Sequence, residues 1–193
     1  MMVVMRPPLA ELLDLQPHPE GGWYRQTWVS PETVTLPDGR QRATATLIHF
    51  LLPAGEASAW HRVASDEVWL AHAGSVVLEL GGAGAAPQVH GEEGPRVTVG
   101  VDLAAGEVGQ AVVPAHVWQR TVPTRSDALV SCLVSPGFDF SDFELADGSR
   151  ADTRGDVDSD TGGDVYGDAG PVQRAPAGPE EAPVDPSEPT NPA

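Results

Sequence analysis

The chain contains 193 residues, of which 11 are basic and 28 are acidic, giving a net charge of −17 at pH 7. This length suits one well-buried domain, and the negative charge repels nucleic-acid phosphates and anionic membrane surfaces. We therefore expect neither nucleic acid nor a membrane as a partner. All the basic residues are arginines, which excludes enzymes that need a Schiff-base lysine or a Walker-type phosphate lysine.

The N-terminal stretch MMVVMRPPLAELL has a short apolar run that meets two prolines, so we do not expect it to act as a signal peptide. No run of about 18 apolar residues occurs, and no membrane-spanning helix is expected. The single cysteine, Cys132, cannot form an internal disulfide and is expected to fill the core. These features predict a cytoplasmic protein.

Residues 7–15, PPLAELLDL, predict a short helix with Leu9, Leu12 and Leu13 on one face and a proline at its start. After this helix the apolar pattern has the short period of β-strands. The predicted strands are rich in β-branched residues and cover residues 44–52, 67–72, 75–80, 96–101, 109–114 and 128–134. Many short strands without alternating helices predict an all-β sandwich or barrel.

The composition changes sharply near residue 147. Residues 148–193 contain 7 glycines, 7 prolines and 10 acidic residues in 46 positions. Such a segment cannot bury enough apolar surface to offset the entropy lost on ordering. We therefore predict an N-terminal extension (1–8), one folded domain (9–147) and a disordered acidic tail (148–193).

The stretch 55–74, GEASAWHRVASDEVWLAHAG, holds the most distinctive polar residues. In strand geometry His61 and Val63 point to one face, a turn follows, and Glu67 and Trp69 return on that same face. His61 and Glu67 are therefore predicted to meet across a hairpin.

Two motifs in the chain resemble those of the cupin superfamily. The first motif is matched by Gly55, His61, Glu67 and Gly74, and the second by Gly106, Pro114 and Gln119. Four longer stretches, LQPHPEGGWYRQTW (15–28), WHRVASDEVW (60–69), VPAHVWQ (113–119) and SCLVSPGFDFSDFEL (131–145), together resemble an uncharacterised cupin family that begins with a PHPEGG signature. This resemblance covers about residues 9–147.

The resemblance implies a double-stranded β-helix, the jelly-roll barrel of sugar-epimerase-like cupins, with a ligand pocket in the barrel mouth. It also implies a homodimer. It implies no established reaction, because cupins include epimerases, isomerases, dioxygenases and storage or binding proteins.

The same resemblance implies where a divalent metal could bind. Metal-binding cupins place ligands at two histidines, a glutamate and a histidine of the second motif, and these positions hold His61, Val63, Glu67 and Gln119. Val63 offers no lone pair and Gln119 is a weak neutral ligand, whereas metal sites normally use three or more strong ligands. His116, where the second motif usually has a turn glycine, could supply a further imidazole.

Without a metal, His61 beside Glu67 still forms an acid–base pair, because a carboxylate fixes the imidazole tautomer and raises its basicity. By analogy with sugar-epimerase cupins, His61 would act as the base and Tyr24 as the acid. The alternative is that His61 and Glu67 simply form a hydrogen bond inside a binding pocket.

Four further side chains are predicted to bind a ligand. Glu20 and Arg25 flank an apolar strand, and Arg25 would either anchor a substrate carboxylate or phosphate or pair with Glu20. Trp69 and Gln119 complete the set, since aromatic faces stack well on sugar rings.

These features predict a cupin that binds a small polar metabolite, such as a sugar derivative, in its barrel. Three functions are left open: an isomerase or epimerase that uses His61 and Glu67, a metal-dependent dioxygenase or isomerase, and a non-catalytic ligand-binding module.

Overall fold

The computed structural model of the chain describes residues 6–88 and 95–146, all within one unit. The predicted tail, 148–193, and most of the predicted N-terminal extension lie outside these residues. Within them the structure is mostly β-strand with one short α-helix, so the all-β prediction is confirmed. None of the helices in these ranges is long and apolar enough to cross a membrane.

Helix α1 spans Pro8–Leu12, with a proline in its first turn, and is shorter than predicted. It ends because Asp14 takes a left-handed conformation with φ of 53°. Leu9 and Leu13 pack on a small apolar cluster as expected, but Leu12 is 78% exposed, so its predicted place on the buried face is wrong.

Thirteen strands are the main regular elements of the described chain. Their bounds are β1 Gln16–Pro17, β2 Trp23–Val29, β3 Thr33–Thr35, β4 Gln41–Ala43, β5 Thr46–Leu52, β6 His61–Val63, β7 Asp66–Ala73, β8 Ser75–Leu80, β9 Arg96–Gly100, β10 Gln110–Val113, β11 Gln119–Val122, β12 Ala128–Ser135 and β13 Phe143–Leu145. Short 3₁₀ turns cover Leu103–Ala105 and Phe140–Asp142.

The strands form two large antiparallel sheets and a small hairpin. The six-stranded sheet has the order β1-β2-β5-β12-β7-β10, the five-stranded sheet has the order β13-β6-β11-β8-β9, and β3 pairs with β4. Phe50, Trp69 and Val130 of the first sheet pack in one cluster with Val76 and Leu78 of the second. The inner faces of the two sheets therefore share one core.

Helix α1 covers part of the outer face of the six-stranded sheet. Ala10 and Leu15 form a second apolar cluster with Trp23 of β2 and Leu51 of β5. Because side chains alternate along a strand, Leu51 faces outward while its neighbour Phe50 faces the core.

The chain crosses between the sheets where the sequence predicts a hairpin. Strand β6 pairs with β11 and β13, whereas β7 pairs with β10 and β12. The predicted pairing of His61 with Glu67 across a hairpin is therefore wrong, because the two residues lie on opposite sheets. Local alternation shows which side chains share a face of a strand, but it does not show that the next strand joins another sheet.

Residues 136–146, here called the closing segment, lie against β6 and the β3–β4 hairpin. Phe143 of β13 pairs with Val63 of β6. Arg42 of β4 donates to the Gly137 carbonyl at 3.1 Å and forms an ion pair with Asp142. The hairpin therefore fixes the closing segment through a nearly buried guanidinium.

Candidate functional site

Polar side chains from three parts of the chain converge between the two sheets. His61 and Gln119 are register partners on β6 and β11, so their side chains lie on one face of the five-stranded sheet. Glu67 reaches Gln119 from the facing sheet. His18 and Glu20 come from the loop between β1 and β2, and the Glu20 carboxylate contacts His61.

The loop that carries His18 and Glu20 depends on glycine. His18 N–H donates to the Gly22 carbonyl at 3.0 Å, and Gly22 has a φ of 72°. A β-carbon at Gly22 would lie only 2.9 Å from the Leu51 carbonyl oxygen, so no other residue fits here without a shift. This close approach of loop and strand β5 directs the Glu20 side chain into the interior.

One carboxylate oxygen faces two imidazole nitrogens. Glu20 Oε2 lies 3.3 Å from His61 Nε2 and 3.4 Å from His18 Nδ1. His61 Nδ1 lies 2.9 Å from the Ala59 carbonyl oxygen, which requires the neutral ring to carry its proton on Nδ1. His18 Nδ1 accepts a hydrogen bond from the Glu20 backbone N–H at 3.4 Å, so its proton lies on Nε2.

These tautomers leave a lone pair on each nitrogen that faces Glu20. An ionised carboxylate would add a third set of lone pairs at the same point, which is repulsive unless a proton is present. A proton on the Glu20 carboxyl group, directed at one of these nitrogens, removes the repulsion.

The protonation preferences agree with this arrangement. Burial, and then the nearby Glu67, raise the pKa of Glu20 well above its usual value. Burial lowers the pKa of His61 to about 4, although the hydrogen bond to the Ala59 carbonyl opposes the shift. Burial, with a smaller effect of His61, lowers the pKa of His18 to about 3. These shifts favour a neutral carboxylic acid beside two neutral imidazoles.

A second hydrogen-bonded chain orients Glu67. Trp69 Nε1 donates to Gln119 Oε1 at 3.0 Å, and Gln119 Nε2 donates to Glu67 Oε2 at 2.5 Å. Burial raises the pKa of Glu67, opposed by hydrogen bonds from Gln119 and from the Cys132 thiol. Burial also raises the pKa of Cys132 well above its usual value, so the thiol is a donor here and not a nucleophile.

Aromatic rings of the closing segment cover the two histidines. The Phe143 ring stacks on His61 with centroids 5.7 Å apart, and the Phe140 ring stacks on His18 at 6.0 Å. Tyr24 meets His18 edge-on at 4.6 Å. These contacts keep water from the imidazoles, which explains the strong effect of burial on their pKa values.

The structure brings together five of the residues that the sequence singled out as site candidates. They are Glu20, His61, Glu67, Trp69 and Gln119. The carboxylate that contacts His61 is Glu20, however, and Glu67 instead bonds to Gln119 and Cys132.

Three other candidates lie apart from this cluster. The Tyr24 ring touches His18, but its side chain forms a hydrogen bond with Gln16, so the hydroxyl is directed toward the sheet edge. Arg25 is exposed and pairs in register with His49 on the outer face; within the described residues it forms no ion pair with Glu20. His116 is exposed in the turn before β11, with a φ of 64° that fits the turn-glycine position of the second motif.

Sequence reasoning missed His18 as a site residue. It lies between two prolines in a loop, where no strand or helix period marks the direction of a side chain. The available signal was its place two residues before Glu20 and ahead of the glycine pair Gly21 and Gly22, which predicts a tight turn that brings both side chains to one side.

The donor atoms do not fit the divalent metal that the cupin motifs imply. His61 Nε2 faces Glu20, the carbonyl oxygen of Gln119 accepts the Trp69 N–H, and His116 lies outside the barrel. In the described ranges, no three His, Cys, Asp or Glu side chains are grouped so that they could hold a metal ion. The arrangement instead suits proton transfer.

Two solved structures are similar to this chain in sequence and in fold. No curated protein matches it. A hypothetical protein from Leishmania major is 35% identical, with a TM-score of 0.60, over 70% of this chain and 83% of its own. A crystallised protein from Shewanella oneidensis is 37% identical, also with a TM-score of 0.60, over 71% of this chain and 81% of its own.

A family model described as Cupin superfamily (DUF985) matches residues 8–146. This range contains both sheets, the closing segment and every residue of the site. It coincides closely with the domain that the sequence motifs delimit. The chain therefore belongs to the family described as Cupin superfamily (DUF985), and its two large sheets form a jelly-roll barrel.

Proposed function

We propose that this cupin binds a small polar carbonyl compound, such as a sugar derivative, and catalyses proton transfer on it as an isomerase or epimerase. The acid–base pair in this proposal is His61 with Glu20, in place of His61 with Glu67. The observation that carries it is the contact of Glu20 Oε2 with His61 Nε2 at 3.3 Å, while the Nδ1 proton of His61 is held by Ala59.

The two groups start in the states that such a reaction needs. His61 Nε2 carries no proton, and once Glu20 directs its own proton at the substrate, Nε2 can accept a proton from the carbon next to the substrate carbonyl. Glu20 holds a proton and can donate it to the carbonyl oxygen. The electron pair of the broken C–H bond then becomes the C=C bond of an enediol, and the products are an imidazolium and a carboxylate side by side.

Burial raises the cost of each new charge, and the attraction between the two charges offsets part of that cost. In the water-poor interior, the new positive charge on His61 and negative charge on Glu20 attract each other more strongly than they would in solvent. The proton returns either to the neighbouring carbon, which isomerises the substrate, or to the same carbon, which allows epimerisation if it arrives from the opposite side. His18 provides a second imidazole at the same carboxyl oxygen.

The test is hydrogen exchange at carbon in D₂O. The protein is incubated with a panel of aldoses, ketoses and their phosphates, and loss of the proton next to the carbonyl is followed by NMR. His61→Gln and Glu20→Gln should each slow exchange by roughly a hundredfold or more, as expected on loss of an acid–base group. His116→Gln, a change of an exposed histidine, is the matched control and should leave the rate unchanged.

Other outcomes contradict the proposal in specific ways. A compound that binds saturably without exchange at carbon would indicate a ligand-binding module. Exchange that a chelator abolishes and an added divalent ion restores would indicate a metal-dependent enzyme.

A further inference from the structure

A cluster of nitrogen-bearing side chains lies outside the barrel, on the outer face of the six-stranded sheet. Arg25 of β2 is the register partner of His49 on β5, and His49 is the register partner of Ser131 on β12. Directly opposed residues share a face, and their neighbours Phe50 and Cys132 face the core. Arg25, His49 and Ser131 therefore form one row that points outward.

His72 joins this row from the fourth strand. The pairing of β7 with β12 shifts by one residue near Leu129 and Val130, which leaves His72 as the extra residue of a bulge. Its Nε2 lies 2.6 Å from Ser131 Oγ, and its ring centroid lies 5.8 Å from that of His49. We call Arg25, His49, His72 and Ser131 the outer-face patch.

The patch carries positive charge with no acid in contact. Six arginines in the described ranges form ion pairs with carboxylates, namely Arg6, Arg40, Arg42, Arg62, Arg96 and Arg120. Arg25 and Arg125, both exposed, form none there. Of these two, Arg25 is the one that lies beside an imidazole.

Within the patch His72 Nε2 and Ser131 Oγ bond to each other, which leaves Arg25 and His49 as its available donors. His49 Nδ1 is buried without a partner, and a buried lone pair without a partner is less costly than a buried N–H. The neutral His49 ring therefore carries its proton on Nε2. Burial lowers the pKa of His49, and His72 and Arg25 lower it further, which shows that their positive charge acts on the same point.

We propose that the outer-face patch binds a phosphate-type oxyanion, either inorganic phosphate or the phosphate group of a small monoester. A guanidinium donates two parallel hydrogen bonds to such a group, and the Nε2–H of His49 donates a third. Arg25 and His49 lie side by side on the neighbouring strands β2 and β5. A tetrahedral anion offers an oxygen to each, whereas a carboxylate has only two oxygens.

The proposal is tested by titration with inorganic phosphate at constant pH and ionic strength, following the imidazole NMR signals of His49 and His72. Constant ionic strength removes the general screening effect of salt. The signals should shift saturably, and acetate should bind more weakly than phosphate. Glucose 6-phosphate serves as a monoester probe and distinguishes an esterified phosphate from the free ion.

The matched variants are Arg25→Gln and Arg125→Gln, both changes of exposed arginines. Loss of a charge-assisted pair of hydrogen bonds should weaken phosphate binding about tenfold or more in Arg25→Gln, while Arg125→Gln should bind as wild type does. A thermal melt confirms that each variant is folded. Shifts that never saturate, equal affinity for acetate, or unchanged affinity in Arg25→Gln would each overturn the proposal.

Discussion

Glu20 shows how burial alone sets the chemistry of a side chain. Its carboxyl group lies among two imidazoles and a second carboxylate, and none of the neighbours is an arginine in contact with it. Without a permanent positive charge nearby, loss of water dominates, and the neutral forms of all three groups are favoured. The protonated form of Glu20 is therefore favoured more strongly than that of a carboxyl group in water.

This arrangement predicts a specific loss of stability in acid. The pKa values of His61 and His18 are lowered to about 4 and about 3, so between those values and 6.5 the unfolded chain binds protons that the folded chain does not. The free energy of unfolding should fall with decreasing pH in this window, by up to about 1.4 kcal/mol per pH unit for each histidine. Glu20 acts in the opposite direction. Its pKa is raised above 4.5 in the folded chain, so its contribution to the free energy of unfolding is lost as the pH rises through that raised pKa.

The substitution His18→Asn tests how much His18 contributes to this pH dependence. Urea unfolding between pH 4 and 6.5 should give a shallower pH dependence for the variant, by about one proton, because asparagine does not titrate. His116→Asn, at an exposed position, serves as the control and should keep the wild-type slope. Identical slopes for wild type and His18→Asn would show that His18 is protonated equally in both states.

Substitution of Gln119 is expected to lower the free energy of unfolding more than substitution of most other buried polar residues. Gln119→Leu removes the partner of both Trp69 Nε1 and Glu67 Oε2 and leaves each buried without it. We expect a loss of about 3 kcal/mol in the free energy of unfolding, measured in urea. Gln110→Leu, on the exposed side of β10, should change it by less than about 0.5 kcal/mol.

The closing segment and the β3–β4 hairpin act together. Phe140 and Phe143 cover His18 and His61, and the segment that carries them is held by Arg42. Under the proposed function, this segment would have to move for a substrate to reach the interior. The ion pair of Arg42 with Asp142 is one of the contacts that hold the segment in place.

Arg42→Gln tests this coupling. Its side chain is only 8% exposed and pairs with Asp142, so the change leaves a poorly solvated carboxylate and should cost about 2 kcal/mol. Amide exchange of residues 138–145, followed by mass spectrometry, should become faster in the variant. Arg40→Gln removes a more exposed ion pair to the same Asp142 and should have little effect. Equal effects of the two changes would contradict a special role of Arg42.

Strands with a clear alternating pattern could be predicted from the sequence. SVVLEL corresponds to β8 at both ends, and the predictions for residues 67–72 and 128–134 differ from β7 and β12 by one residue at the ends. Strands β6 and β13 have three residues each and were not delimited, because so short a run carries no period.

The site could be predicted only in part for a related reason. His61, Glu67 and Gln119 were found from the motifs, but the contact of His61 with Glu20 joins residues 41 positions apart in the sequence. Such a contact depends on which sheet each strand enters, and local patterns do not contain that information. The same limit applies to Arg25, whose outward direction follows from the register of β2 and β5.

The assembled barrel leaves open edges at the strands that end each sheet. In the part of the chain that the structure describes, these are β1 and β10 of one sheet and β13 of the other, whereas β9 is partly covered by backbone bonds with Val108. Unpaired edge strands favour pairing with another chain, and natural proteins often cover them in a symmetric dimer. The homodimer implied by the family resemblance remains a prediction.

Light scattering on the full chain tests this assembly. At micromolar concentration we expect a mass about twice the 20.2 kDa of one chain. A mass that stays the same on dilution and at raised salt would support association through an edge or apolar face, because charge contacts weaken with salt. A mass of one chain across this range would contradict the prediction.

The site joins the two ends of the folded domain, and this affects how the protein is made. His18 and Glu20 are among the first described residues, whereas Phe140 and Phe143 are among the last. A growing polypeptide that has not yet reached residue 143 therefore lacks the rings that shield its two imidazoles. Contacts between residues this far apart in sequence form slowly. Closure over the histidines should thus be a late event in biosynthesis, and a newly made chain should pass through a stage in which His61 can still be reached by water.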